Sequence, residues 1–259
     1  MITEVIKRTF PPGLQRRLND AVYAFLGLRY RLMSGVEIYI GSKTDWLSFN
    51  GIFLSGDYDS AILPLRTHSG KGAVVLDLGC NTGYFALRCL DALGREAFHG
   101  KFEWIAVDAS DTMLGAYRKR VLVTNGLEGR IKVVRGLVGR RSGAADFFES
   151  TNNGANTCIP EHTERDRRYS RRPVPFVDVG KVIPAGPIAL IKCDIEGSEG
   201  DFIRSYPDLL ERTESLIFEF HDCCGDQDAL FECLRSAGFE RRTIRPNTGT
   251  SIEFFKRAG

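Results

Sequence analysis

Short apolar runs alternate with longer amphipathic stretches along the chain from residue 74 onward. Runs this short suit strands that are covered on both faces, and apolar positions at helical spacing indicate helices. The pattern predicts strands over residues 74–78, 102–108, 131–138, 188–193 and 215–220. It predicts helices over residues 83–93, 111–123, 198–210 and 226–237. This alternation is typical of a parallel sheet with helices on both faces.

Two further patterns flank that region. Residues 239–245 and 250–256 are separated by a turn-forming Pro-Asn-Thr-Gly sequence and predict a closing hairpin. Before residue 70, apolar positions at helical spacing predict a helix, and they are Leu14, Leu18, Ala21, Val22, Phe25, Leu28 and Leu32. A short strand over residues 36–40 and an aromatic-rich segment follow. We expect residues 1–70 to form a cap within the same domain as residues 71–259.

An insertion at about residues 140–181 interrupts the alternation. Its middle is polar and aperiodic, and it contains five arginines within eight positions, Arg165, Arg167, Arg168, Arg171 and Arg172. A loop this long in a compact domain is a lid, a binding loop or a solvated segment. The arginines could bind an anionic group, but nearby acidic residues favour a solvated loop.

Composition narrows the function classes only slightly. The chain has 259 residues, 43% hydrophobic and 26% charged, with a formal net charge of +2. A charge this small gives no reason to expect nucleic acid as a partner. The seven cysteines lack metal-ligand spacing, and no apolar run reaches the ~20 residues of a membrane span. We therefore expect a cytoplasmic protein that binds neither a membrane nor nucleic acid. The protein could also form a homo-oligomer, which the sequence does not decide.

A glycine-punctuated turn follows the first predicted strand. Gly79 and Gly83 allow the backbone to turn sharply, but Asn81 stands where a dinucleotide fingerprint needs its second glycine. Asp77, directly before the turn, would repel a pyrophosphate but could hold an amino group. Asp108 ends the second strand, where a carboxylate can accept both ribose hydroxyls. This combination favours S-adenosylmethionine, which carries an amino group and a sulfonium but no phosphate.

Further polar residues follow the fourth and fifth strands at the same predicted sheet edge. Asp194 and Glu196 could position an acceptor, and His221 could accept its proton near neutral pH. A divalent cation held by Asp194 with Glu219 or His221 is an alternative, since oxygen ligands suit Mg²⁺. We expect transfer without a metal.

These motifs together resemble the FkbM-type family of class I S-adenosylmethionine-dependent methyltransferases. The resemblance rests on Val75-Leu-Asp-Leu-Gly-Cys-Asn-Thr-Gly-Tyr-Phe85, Ala106-Val-Asp-Ala109, Asn125-Gly126, Leu190-Ile-Lys-Cys-Asp-Ile-Glu-Gly-Ser-Glu199 and Ile217-Phe-Glu-Phe-His221. It runs in order from about residue 72 to 255. It implies a Rossmann-like sheet of seven strands, the last of them antiparallel, and methylation of hydroxyl oxygens on sugars and secondary metabolites.

The resemblance and the chemistry of the residues together give the expected roles of single positions. The expected cofactor contacts are Asp77, Gly79, Cys80, Asn81, Gly83, Phe85, Asp108, Ala109, Gly136, Leu137 and Asp194. Of these, Asp77, Gly79, Asn81 and Gly83 would line the methionine end, and Gly136 and Leu137 would neighbour the adenine. The expected catalytic residues are His221, Asp194 and Glu196. The expected substrate contacts are Tyr58, Glu196 and His221.

The sequence thus predicts O-methylation of a hydroxyl on a small molecule. Three rivals remain. One is N-methylation on the same fold, and another is an RNA-binding methyltransferase-like module that uses the Arg165–Arg172 cluster. The third is a nicotinamide oxidoreductase, which the missing middle glycine disfavours. The insertion and the cap match no feature of the family, so the acceptor does not follow from the resemblance.

Overall fold

A computed structural model describes residues 21–23, 25–70, 72–150, 169–246 and 249–258. The strands are β1 Leu28–Arg31, β2 Glu37–Ile40, β3 Ala73–Leu78, β4 Phe102–Asp108, β5 Ile131–Arg135, β6 Ala144–Ser150, β7 Tyr169–Pro175, β8 Ile188–Cys193, β9 Ser215–His221, β10 Phe239–Arg245 and β11 Thr250–Arg257. The α-helices are α1 Lys43–Phe49, α2 Asp59–Ile62, α3 Tyr84–Leu93, α4 Arg95–Lys101, α5 Asp111–Tyr117, α6 Val179–Val182, α7 Glu199–Ser205, α8 Pro207–Glu211 and α9 Gln227–Ser236. Short 3₁₀ and π-helical segments cover Asn50–Leu54, Leu63–Thr67, Arg118–Val123 and Asp222–Cys224.

Seven strands form the central sheet in the order β10-β11-β9-β8-β3-β4-β5. Neighbouring strands from β9 to β5 pair in parallel, and β11 pairs antiparallel with both β9 and β10. This is the seven-stranded sheet with an antiparallel last strand that the resemblance implies. The predicted Rossmann-like class I methyltransferase fold is confirmed.

Alternating side chains of the central strands pack on opposite faces of the sheet. Val74, Leu76 and Leu78 belong to a core cluster that includes residues of α7, α8 and α9. Ala73 and Val75 belong to a second cluster with α3 and the N-terminal segment. Because both faces are covered, β3 and β8 are buried along their whole length, as their apolar runs predict.

The N-terminal segment packs directly on the second of these clusters. Ile38, Ile40, Phe49 and Ile62 are buried in it, together with residues of the central strands. Polar contacts also join the segment to the sheet helices, for example Arg88 with Asp59 at 2.7 Å. The N-terminal segment therefore borders any cleft that opens at the edge of the sheet.

The predicted N-terminal helix ends earlier than its apolar spacing suggests. Gly27 adopts φ +49 and its amide donates to the Tyr23 carbonyl, a typical helix stop. Leu28 and Leu32 therefore leave the helix, and Leu28–Arg31 pairs with Glu37–Ile40 as an antiparallel hairpin. The predicted helix over residues 198–210 is likewise divided, because Pro207 opens the separate helix α8.

The insertion contains ordered structure that its sequence does not predict. β6 and β7 pair as an antiparallel hairpin from Ala144↔Pro175 to Ser150↔Tyr169. Arg165, Arg167 and Arg168 lie outside the described residues. Of the described helices, none is long and apolar enough to cross a membrane.

Candidate active site

The candidate site lies where the chain reverses its direction of strand addition, between β3 and β8. Open α/β sheets bind ligands at such switch points, beyond the carboxyl ends of the strands. The turn after β3 and the turn after β8 touch, since the Asp194 amide donates to the Leu78 carbonyl at 3.1 Å. Gly79 adopts φ +70, and a Cβ there would lie 1.7 Å from the Asp194 carbonyl oxygen. Only glycine allows the two turns to meet.

A buried lysine and its two carboxylate partners stabilise this junction between the turns. The Lys192 ammonium lies 3.3 Å from Asp77 Oδ1 and 3.6 Å from Asp194 Oδ2. It also donates to the Gly79 carbonyl at 2.6 Å. Burial opposes the ammonium charge, but Asp77 and Asp194 outweigh it and raise the pKa of Lys192. Lys192 therefore neutralises Asp77 and fixes the glycine turn.

Asp108 is tied to the same turn at the end of β4. Its Oδ2 accepts from the Asn81 amide at 2.9 Å, and its Oδ1 accepts from the Ser110 amide at 2.8 Å. Burial raises the pKa of Asp108 to about 6, although these two amide bonds lower it. Each oxygen has a second lone pair, so the carboxylate can still accept two hydroxyl donors.

A chain of side chains runs from Glu196 through His221 to Glu199. His221 Nε2 lies 3.3 Å from Glu196 Oε2, and His221 Nδ1 lies 3.0 Å from Glu199 Oε1. Glu199 is fully buried, and the same oxygen accepts from the Ile195 and Gly197 amides at 3.2 and 3.1 Å. Glu199 thus holds both the imidazole and the turn that carries Glu196.

This arrangement changes the protonation of the predicted base. Burial disfavours the His221 imidazolium, but the hydrogen bond to Glu199 and the charge of Glu196 raise the pKa of His221 to about 10. Burial and the Asp194 carboxylate raise the pKa of Glu196 to about 8, against the effect of His221. Glu196 also adopts φ +54, a backbone strain that often marks functional positions.

A second network joins the N-terminal segment to β9 and β10. The Tyr58 hydroxyl donates to Glu219 Oε2 at 3.1 Å. The Arg245 guanidinium lies 2.5 Å from Asp57 Oδ2 and 3.8 Å from Glu219 Oε1. Burial and the Asp194 charge raise the pKa of Glu219 to about 7. The network brings a second carboxylate with a near-neutral pKa to the site.

These groups surround a cleft of about 460 Å³, within the size range of ligand sites. Of the predicted site residues, those that line it are Tyr58, Gly79, Cys80, Asn81, Phe85, Asp194 and Glu196. The predicted residues outside its lining are Asp77, Gly83, Asp108, Ala109, Gly136, Leu137 and His221. The cleft therefore corresponds to the methionine and acceptor end of the expected site.

The predicted adenine neighbours Gly136 and Leu137 lie against the inserted hairpin, together with the predicted cofactor contact Ala109. Ala109 and Leu137 are buried in a small apolar cluster with Phe147 of β6 and Val174 of β7. A Cβ on Gly136 would lie 2.2 Å from Val177. The structure thus brings these three positions together beside the hairpin, apart from the cleft.

The described arginines of the insertion are engaged in ion pairs. Arg171 pairs with Asp146 at 2.5 Å, and Arg172 pairs with Asp111 and Glu149, both at 3.1 Å. Both arginines therefore have carboxylate partners within the protein. The pairs fasten the hairpin strands to each other and to the start of α5.

Glu199, Arg245 and Asp57 are functional candidates that the sequence does not single out. Glu199 follows a turn and suggests a helix cap, and only the fold brings it to His221, 22 positions away. Asp57 and Arg245 are 188 positions apart. Two residues this far apart in the chain produce no local sequence pattern that would predict their contact.

Three side chains of the site also offer donors for a cation. One ligand atom each from Asp194, Glu196 and His221 lie within 4.8 Å of one another. The donor set is chemically suitable, but both imidazole nitrogens already face carboxylates. Binding a metal would require His221 to give up its proton and one of these contacts.

Comparison with known proteins gives similarities of fold. No family model matches the chain, and no curated protein matches it. The structure of methyltransferase FkbM from Methylobacillus flagellatus is similar with a TM-score of 0.49 and 16% identity, over 94% of this chain and 60% of that one. The METTL16 methyltransferase domain is similar with a TM-score of 0.48 and 16% identity, over 93% of this chain and 96% of that one. A candidate rRNA methylase from Clostridium thermocellum is similar with a TM-score of 0.46 and 10% identity, over 79% of this chain and 97% of that one.

These comparisons agree with a class I methyltransferase fold, and FkbM is one of several methyltransferases among them. Identities this low leave the reaction and the acceptor to be argued from the residues of this chain. The FkbM-type assignment stays a prediction.

The prediction that nucleic acid is not a partner is wrong. The similar structures include the candidate rRNA methylase and a candidate tRNA (m1A22) methyltransferase from Streptococcus pneumoniae. The physical reason for the error is that a net charge of +2 is a sum over the whole chain. Such a sum does not report how charge is distributed over the surface.

Proposed function

We propose that this protein is an S-adenosylmethionine-dependent methyltransferase that acts on a hydroxyl oxygen. The observation that carries the proposal is the acidic cleft at the switch point of the sheet. Four carboxylates line it, those of Asp57, Asp194, Glu196 and Glu219, against the cations of Lys192 and Arg245. Both of these cations are already paired with carboxylates, so the described lining has no free cation for the pyrophosphate of a dinucleotide, and its ionised carboxylates favour a cationic ligand.

The residues present suit this cofactor. Asp108 has lone pairs for two ribose hydroxyls, and the Gly79–Asn81 turn and Asp194 would hold the methionine end. When bound, S-adenosylmethionine supplies a methyl group activated by its sulfonium. The neutralisation of Asp77 by Lys192 supports a structural role for Asp77, with the amino group held by other oxygens of the cleft.

We assign proton acceptance to Glu196, in place of the role predicted for His221. Both His221 nitrogens face carboxylates, and an imidazole that is already protonated cannot accept a proton. A carboxylate whose pKa lies near neutrality can. A cationic cofactor beside Glu196 would bring its raised pKa down and leave the carboxylate ionised when the acceptor arrives. His221, held by Glu199, would orient Glu196.

The acceptor we propose is a group rich in hydroxyls, such as a sugar. An ionised carboxylate accepts hydrogen bonds but does not donate them, so the cleft suits a hydroxyl donor once the bound cofactor has lowered the pKa of Glu196 and left it ionised. Mass spectrometry of glycosides and of RNA incubated with enzyme and cofactor would identify the modified atom. Methylation of nitrogen alone would overturn the oxygen assignment.

Cofactor choice gives the first prediction. Calorimetry should detect binding of S-adenosylhomocysteine and none of NAD. Asp108→Asn should weaken S-adenosylhomocysteine binding by roughly 10- to 100-fold, because hydrogen bonds to a charged acceptor contribute about 1.5–3 kcal/mol. Asp228→Asn, at an exposed position of α9 outside the lining of the cleft, is the matched control and should bind normally. Binding of NAD alone would refute the cofactor assignment.

Metal dependence gives the second prediction. We expect EDTA to leave the turnover of the purified enzyme unchanged, because the proposed base is a carboxylate oriented by His221. Dialysis against buffer without EDTA controls for loss of activity during handling. Activity that disappears with EDTA and returns with Mg²⁺ would show that Asp194, Glu196 and His221 hold a cation instead.

A further inference from the structure

A second concave surface is lined partly by the N-terminal segment and shares no lining residue with the cleft. This basic pocket has a volume of about 270 Å³ and is formed by the β1–β2 hairpin and the helical segment that begins with α5. The cations in its lining are Arg29, Lys119 and Arg120, and Glu37 is the only carboxylate among its described lining residues. Nothing in the proposed methyl transfer uses this pocket.

Two of its cations have no carboxylate partner among the described residues. Arg120 pairs with Asp45 at 2.7 Å. Arg29 and Lys119 make no ion pair with a carboxylate of the described residues, in contrast to the paired Arg171 and Arg172 of the insertion. The basic pocket therefore presents positive charge that a bound anion could neutralise.

The pocket also contains an aromatic ring between cations. The guanidinium carbons of Arg120 and Arg29 lie 4.9 and 6.0 Å from the centre of the Tyr39 ring. Basic side chains around an aromatic ring form the usual surface for single-stranded nucleic acid, where phosphates meet cations and a base meets a ring. The pocket is concave, so a flat bilayer surface would fit it poorly.

The same segment connects the pocket to the cleft. The Tyr39 carbonyl accepts from the Tyr84 hydroxyl at 2.7 Å, and Tyr84 lines the cleft. Asp45, the partner of Arg120, is in α1, whose Thr44 and Leu47 also line the cleft. A ligand that spans residues 39–47 would touch both surfaces.

We propose that the basic pocket binds the phosphate backbone of an RNA strand whose acceptor nucleotide enters the cleft. The cations that line the cleft are already paired with carboxylates, so an RNA acceptor needs its phosphates held elsewhere, and the basic pocket is placed to do so. The ribose 2′-hydroxyl, which DNA lacks, is the hydroxyl acceptor that this geometry favours. The binding step stands on the pocket alone, whereas the methylated atom rests on the proposed function.

The test measures binding without methyl transfer. Fluorescence anisotropy would follow a labelled, mixed-sequence single-stranded RNA on the wild-type protein and on the double variant Arg29→Glu/Lys119→Glu. We expect the variant to bind at least about 10-fold more weakly. Arg29→Ala/Lys119→Ala should make the slope of log affinity against log salt shallower by about 1.4, since each phosphate contact contributes about 0.7.

Arg242→Glu/Lys256→Glu is the matched control, because it makes the same charge change on exposed residues of β10 and β11, at the other end of the sheet. It should bind RNA within about two-fold of wild type after allowance for long-range charge. Calorimetry with S-adenosylhomocysteine should be normal for all variants, which separates failure of this proposal from failure of the proposed function.

Three results would overturn the proposal. They are no RNA binding by the wild type at low salt, equal loss of RNA binding in both charge-reversal variants, and wild-type affinity in Arg29→Glu/Lys119→Glu. A parallel assay uses phosphatidylserine-containing vesicles. Vesicle binding that depends on Arg29 and Lys119, without RNA binding, would assign the pocket to anionic lipid instead.

Discussion

Glu196→Gln will lower the turnover number by about 10²- to 10⁴-fold, the usual contribution of a positioned general base. The substitution keeps the size and shape of the side chain but removes its ability to accept a proton. Binding of S-adenosylhomocysteine should stay close to normal, because the cofactor contacts that we assign lie on other residues. Steady-state kinetics and calorimetry on the same preparation would separate the two effects.

Glu214→Gln is the matched control for this variant. Glu214 also lies 3.0 Å from a histidine, His68, but outside the cleft, so its loss should leave turnover unchanged. Glu219→Gln tests the neighbouring carboxylate. If Glu219→Gln abolished turnover while Glu196→Gln did not, Glu219 would be the base and our assignment would be wrong.

The pH profile provides a second test of Glu196. The base acts in its deprotonated form, and burial raises the pKa of Glu196 to about 8. The rate should therefore rise with pH from 6 toward 9, with a midpoint at or below about 8 because the cationic cofactor lowers this pKa. Glu196→Gln should lose this rise. A wild-type rate that falls over the same range would exclude a carboxylate base at this position.

The sequence predicts the centre of the fold better than its margins. Residues 102–108 and 188–193 are predicted with the bounds that the structure shows for β4 and β8. Short apolar runs of this kind are typical of parallel strands that are covered on both faces. The β6–β7 hairpin is missed, since arginines and acidic residues in its strands obscure any alternation. Their pairing across the hairpin, such as Arg171 with Asp146, exists only after folding.

The candidate site shows the same division. Asp194, Glu196 and His221 could be placed at one sheet edge from sequence, because the ends of parallel strands meet there. Their protonation could not be predicted, since it depends on Glu199, whose buried carboxylate reaches His221 only in the folded chain. The exchange of roles that we propose between His221 and Glu196 depends on that contact and on the charge of Glu196 beside the imidazole.

Lys192→Met will destabilise the folded protein by about 3–5 kcal/mol, the usual effect of removing one partner of a buried ion pair. Asp77 is 3% exposed, and neither of its oxygens has a hydrogen-bond partner among the described residues. Without the ammonium, its charge would be buried with no compensation, and the Gly79 carbonyl would lose its donor. Denaturant unfolding followed by circular dichroism would measure the change. Lys181→Met is the control, because Lys181 is 84% exposed and its loss should cost no more than about 0.5 kcal/mol.

The double variant Asp77→Asn/Lys192→Met decides whether the charge of Asp77 causes this loss. Asparagine removes the uncompensated charge at nearly constant volume, so the double variant should be more stable than Lys192→Met alone. Residues in contact are expected to show a coupling energy of about 0.5–3 kcal/mol in such a cycle. Strictly additive effects would mean that Lys192 acts through the Leu78 and Gly79 carbonyls alone. The glycine turn would then be held only by the hydrogen bonds from the Lys192 ammonium to these two carbonyls. The charge of Asp77 would not contribute to stability, although Asp77 is buried beside Lys192.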